Sequence, residues 1–178
     1  SDLEEAQGYL EDDKLDAASG KLDSLEQDSS LTDEQRKQVE DMKNKLQSAK
    51  DSAQQQQENE QKKSERRQEF SGEMDELESD DLKISSAANA EDELAMTASS
   101  FEQWDELLSE MYDYLAGVLN ADQYASEEEN YKQWVAERDS GAENAASATE
   151  DSTQKQLASY SFKQSYTKAR CYKLLDMM

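Results

Sequence analysis

Not one proline interrupts this chain, and only five glycines are spread over its 178 residues. Proline and glycine break helices most reliably, so a sequence without the one and poor in the other, rich in Glu, Lys, Gln, Ala and Leu, can be helical almost throughout. The expected fold class is all-α. The apolar residues then decide how the helices bury. Between Phe101 and Asp139, the residues Phe101, Trp104, Leu108, Met111, Leu115 and Leu119 recur at intervals of three and four, which places them on one stripe of a helix. Asn120, followed three residues later by Gln123, is a capping box that separates this helix from the next, on which Tyr124, Tyr131, Trp134, Val135 and Arg138 share a face. Two helices are expected to meet across these aromatic faces.

Residues 2 to 50 read as three helices. Leu3, Ala6 and Leu10 mark the first, Leu15, Ala18, Leu22 and Leu25 the second, with the joint at Asp12 and Asp13. Thr32 and Gln35 form a capping box that opens the third, whose stripe is Val39, Met42, Leu46, Ala49 and Ala53. This set is similar to one unit of a helical solenoid, but no second copy follows at a fixed period. Gln54 to Glu69 holds no apolar residue, so it joins no core. Its helix-forming composition predicts that the third helix runs on through it, with a flexible linker as the alternative. Phe70 reopens the apolar pattern, and Met74, Leu77, Asp81, Ile84, Ala88, Ala95 and Ala98 predict a helix from about Gly72 to Ala98. That helix either breaks at Ser99 and Ser100, where Ser100 and Gln103 can cap, or continues into the Trp104 helix. Beyond Asp139 the helix is expected to reach about Ala148. Asp151 and Gln154 then open a last helix whose inward stripe is Leu157, Tyr160, Gln164, Thr167, Cys171 and Leu174. The organisation read from the sequence is a helical region over 1–53, a polar spacer over 54–69, and an antiparallel bundle of three or four helices over 70–178.

Charge narrows the function. The formal net charge is -24, and residues 71–130 hold 18 acids against one base, whereas 151–178 hold five bases against two acids. Such a field repels nucleic-acid phosphates and anionic lipid surfaces, and it draws in basic proteins. Asp80, Asp81, Glu91, Asp92 and Glu93 lack the spacing and the glycine of a calcium loop and read as a solvated face. The absence of histidine removes the usual general base and the usual transition-metal ligand, and no cofactor motif is present. A thin bundle offers two opposed carboxylates little concavity, so an enzyme is not expected. Cys171 stands alone. The longest apolar run, at 115–119, is far too short to cross a bilayer, and a chain that starts at Ser1 without a methionine is expected to have lost any targeting segment.

One constellation stands out. Arg138 lies one turn from Trp134 and beside Asp139, and a guanidinium placed there needs a carboxylate, for which Asp105 or Glu106 on the preceding helix is expected. With Asp105, Leu107 or Leu108 and Tyr112, then Trp134, Arg138 and Asp139, then Thr167, Arg170 and Leu174, the chain resembles the LprI-like lysozyme-inhibitor family of bacterial surface lipoproteins over roughly residues 72–178. It departs from that pattern in three places. Many members carry a cysteine pair and a Gly-Gly turn ahead of the last helix, where this chain has a lone Cys171 and the segment TEDST, and Tyr131 stands where a glutamine is usual. Residues 1–70 lie outside the resemblance.

The resemblance implies an exported protein, lipid-anchored at a Gram-positive-type cell surface, with the anchor outside these residues and with no other hold on the membrane. It implies a basic extracellular partner such as lysozyme, inhibited by occlusion, with no cofactor. The competing reading is a structural spacer domain of a surface lipoprotein with no inhibitory activity, in which the Trp134 cluster serves stability alone.

Overall fold

The computed structural model describes every residue from Ser1 to Met178. It contains α1 (Asp2–Glu11), α2 (Leu15–Glu26), α3 (Asp33–Asp81), α4 (Ala90–Val118), α5 (Ala121–Ala146) and α6 (Ser152–Asp176), with one 3-10 turn at Ile84–Ser86 and no strand. The chain divides into two compact units, Ser1–Lys62 and Lys63–Met178.

In the first unit, α1 and α2 form a hairpin whose turn carries Asp13 at φ 58. Aspartate tolerates this left-handed conformation better than most side chains. Ala6, Ala18, Leu22, Leu25, Val39 and Leu46 close the core, so the stripes expected on all three helices converge. Ion pairs set the alignment from outside: Lys21 reaches Asp2 at 2.8 Å and Glu5 at 2.6 Å, and Lys43 reaches Glu26 at 2.6 Å. The two acids hold the Lys21 ammonium well above its ordinary range by hydrogen bonding. The Thr32 box is complete, with Gln35 N donating to Thr32 Oγ1 at 3.2 Å and Thr32 N to Gln35 Oε1 at 2.9 Å.

The second unit is a four-helix bundle made of the last turns of α3 with α4, α5 and α6. Phe70, Met74, Trp104, Leu107, Leu108, Met111, Leu115, Trp134, Cys171, Leu174 and Leu175 form its core. Phe70 meets Tyr114 while Asp81 meets Trp104, so α3 and α4 run antiparallel. Tyr112 meets Glu127 while Asp105 meets Arg138, and α5 likewise runs against α4. Gln164 beside Ser100, and Arg170 beside Tyr112, show α6 running parallel to α4, its most extensive neighbour. The capping box at Asn120 forms as read, and Asp151 accepts from Gln154 N at 2.8 Å.

The single helix expected over 72–98 is broken inside its span, whereas the passage into the Trp104 helix is unbroken, the second of the two outcomes that the spacing allows there. α3 passes through residues 54–69 and ends at Asp81, the break occupies Leu82 to Asn89, and α4 continues unbroken through Ser99 and Ser100. Asn89 caps α4 by accepting from Asp92 N at 2.8 Å, and Glu91, Asp92 and Glu93 fill its first turn, where the helix dipole favours acids. Ser100 is buried and donates its hydroxyl to Asp81 instead of capping. Asp81 accordingly leaves the solvated face assigned to it: its side chain is 14% exposed and points into the α3, α4 and α6 junction.

Candidate functional site

α5 places Glu127, Tyr131, Trp134 and Arg138 at successive turns of one face, and the second unit closes around them. Trp134 is stacked between Tyr131, with centroids 5.8 Å apart, and Tyr166, at 5.6 Å. Both of its faces are therefore covered, and only 7% of the residue is exposed. Phe162 extends the stack by packing on Tyr166 at 5.3 Å. The Phe162 ring lies against Gly141 on α5 so closely that a methyl group added at Gly141 would overlap it.

Two arginines flank the indole. The Arg138 guanidinium lies 5.1 Å from the Trp134 ring centre, and its Nη1 donates to Asp105 Oδ1 at 2.8 Å and its Nε to Asp139 Oδ1 at 3.2 Å. Of the two carboxylates expected to answer it from the preceding helix, Asp105 is the one that does. Arg170, 5.8 Å from the same ring, donates its Nη2 to Glu127 Oε1 at 2.5 Å and its Nε to the Tyr112 hydroxyl at 2.9 Å. The Tyr112 hydroxyl donates in turn to Glu127 at 3.2 Å. Burial pushes the Tyr112 phenol up to about 12 against the pull of Arg170, so it remains a donor throughout the physiological range.

Of the residues singled out by sequence, Asp105, Tyr112, Trp134, Arg138, Asp139 and Arg170 thus come together in one cluster. Thr167 and Leu174 lie on the buried stripe of α6, and Thr167 Oγ1 is sealed from solvent without a hydrogen-bond partner. The cluster joins three helices, and the charges of its arginines are met by carboxylates within it. It has the chemistry of an anchor. Glu127 escaped the sequence reading although it stands one turn before Tyr131 on the aromatic face, where an acid already hints at a buried base. A second anchor escaped in the same way. Asp81 accepts from Trp104 Nε1 at 3.0 Å and Gln164 Nε2 at 2.8 Å as well as from Ser100, and Lys168 lies 3.9 Å away. Cys171 is buried against the Trp104 carbonyl, and burial raises its thiol to about 12, which leaves it unreactive.

The open surface of this unit has another character. Along the seam between α3 and α4 runs a groove of about 290 Å³ walled by Glu73, Glu76 and Asp80 on one side and by Glu106 and Glu110 on the other, with Leu77 and Leu107 in its lining. Burial, and then the facing Glu110, push the Glu73 carboxyl above its ordinary range. Arg66, 3.7 Å from Glu110, answers the acids from the end of the seam. No three of the acids are arranged to hold a metal ion, and no helix is long and apolar enough to cross a membrane. No protein-family model, curated protein or solved structure matches the chain.

Proposed function

We propose that this protein is a non-enzymatic binding module of the cell surface whose α3 and α4 acids engage a cationic extracellular protein. Lysozyme is the partner named by the resemblance to the LprI-like inhibitors. The observation that carries the reading is the groove itself: five carboxylates face each other over two leucines and are answered only at the ends, by Arg66 at Glu110 and by Lys83 at Asp80. Acids that repel one another across a seam are relieved when a base enters it, and leucines beneath them accept the aliphatic stems of lysine and arginine. The surrounding field steers a basic protein toward this face before contact, and inhibition needs only that the bound bundle cover the partner's cleft. Export and lipid anchoring belong to the same proposal, which requires no cofactor.

The test is binding and inhibition of a c-type lysozyme at low and at high salt, beside an equally basic control protein. The reading requires lysozyme-selective inhibition that weakens steeply with salt and with the combined substitutions Glu73→Gln, Glu106→Gln and Glu110→Gln. Weak and equal binding to both proteins would overturn it. That outcome favours the second reading, a structural segment of a surface lipoprotein, which is supported by the passage of α3 through 54–69 with no apolar residue to bury.

A further inference from the structure

The antiparallel pair α5 and α6 leaves a groove of about 410 Å³, separate from the acidic seam, with edges of the core residue Trp134 and of Arg170 in its lining. Its two ends differ. At one lie Lys173 and Asn130, and the Lys173 ammonium is exposed with no carboxylate at ion-pair distance. At the other lie Glu137 and Tyr166, and the Glu137 carboxylate meets only neutral donors, the Tyr166 hydroxyl at 3.1 Å and Gln133 Nε2 at 3.0 Å. Asn130 and Glu137 are seven positions apart on one helix, which sets the ends about 10 Å apart at a rise of about 1.5 Å per residue. Between them Ala169 keeps the groove open, and two donors reach solvent there without an acceptor in the chain. The indole N–H of Trp134 has no acceptor in the chain, and Arg170, committed through Nε and Nη2, keeps Nη1 without one.

A ligand that satisfies this lining carries an anion at one end, a cation about 10 Å away, and acceptors between. We propose that the groove binds a tripeptide with both ends free, its carboxylate at Lys173 and Asn130, its ammonium at Glu137, and its carbonyls facing Trp134 and Arg170. An extended chain spans about 3.3–3.6 Å per residue, so three residues fill the distance and one or five do not. The groove's volume lies within the usual range for small-ligand sites. Selection rests on the charged ends and the length, since the lining offers no deep side-chain pocket. The site is separate from the acidic seam, so its existence does not depend on the lysozyme reading.

Trialanine is the probe, titrated into the full chain by calorimetry and by the indole N–H resonances of the two tryptophans. Binding is expected to saturate below about 10 mM. The Trp134 resonance is expected to shift and the Trp104 resonance to stay, because Trp104 is already bonded to Asp81. N-acetylation or C-amidation of the peptide, and Lys173→Gln or Glu137→Gln in the protein, should each weaken binding about tenfold, the scale of one charge-assisted contact. Both positions are exposed, so these variants keep the fold. The swap of Lys173→Glu with Glu137→Lys should bind more tightly than Lys173→Glu alone, with the peptide reversed. The proposal is overturned if capped and free trialanine bind alike, if either glutamine variant binds like the parent, or if the Trp134 resonance does not move.

Discussion

Ser1–Lys62 closes on six aliphatic side chains, none larger than leucine, whereas Lys63–Met178 closes on two tryptophans, Phe70 and a buried ion pair. The first unit keeps its charges outside, with Lys21 and Lys43 pairing across half-open surfaces. The second takes Arg170, Glu127 and most of Asp81 inside. Aliphatic packing is tolerant of detail, while a buried charge accepts only one arrangement of partners. The comparison teaches where each unit is vulnerable: one to lost volume, the other to a lost partner. It can also be followed experimentally, because both tryptophans lie in the second unit and Tyr9 is the one aromatic residue of the first.

The hardest test removes a partner. Glu127→Ala leaves Arg170 buried without its carboxylate and should cost the second unit about 3–5 kcal/mol. Tryptophan emission would then report unfolding at much lower urea, while the helical signal of the first unit stays. The converse removes volume. Leu22→Ala should cost the first unit about 3 kcal/mol, lowering the first part of the far-ultraviolet transition without moving the tryptophan one. If either substitution shifts both signals together, the two units do not unfold independently and the contrast collapses. A smaller effect of opposite sign is expected at Thr167, whose buried hydroxyl has no partner. Thr167→Val keeps the shape, removes the unsatisfied group and should raise stability by about 1 kcal/mol in urea titration.

The smallest effect concerns the acidic seam. The folded Glu73 carboxyl titrates above its unfolded counterpart because burial and Glu110 disfavour its charge. The folded state therefore binds that proton more readily, and the ionised carboxylate costs stability once pH rises through the folded value. Glu73→Gln should stabilise at pH 7 by a few tenths of a kcal/mol, given the partial exposure of the site. The gain should vanish below the ordinary carboxylate range, where both forms are neutral. A gain that persists in acid would assign the effect to packing instead of charge.

Spacing and capping made much of this fold legible. The stripes at Leu22, Met111 and Leu174 are buried as the three-and-four pattern requires, and the caps at Thr32, Asn120 and Asp151 form because each is decided by atoms three residues apart. The break at Leu82 to Asn89 is not legible from spacing, and whether the chain also breaks at Ser100 stays open there, because Ser100 with Gln103 is as good a local cap as Asn89 with Asp92. What decides between them is Asp81, nineteen residues away from Ser100. The same limit hid the partner of Arg170, since Glu127 lies 43 positions from it. Arg138 is easier: an antiparallel neighbour after a short turn leaves few carboxylates within reach, and Asp105 is one of the two that the spacing offers. The acidic seam was legible only as an excess of charge, because which acids face one another depends on the relative rotation of α3 and α4.

Gly141 and Phe162 stand in contact across α5 and α6 with no room for another carbon between them. A larger residue at the first position must push the ring aside, and a half-buried ring at the end of its side chain has somewhere to go. What the displacement takes with it is the stack on Tyr166 and, through Tyr166, one cover of Trp134. A glycine with no function of its own thus acts as the seat of the aromatic column, and the column registers a change made two rings away from the indole.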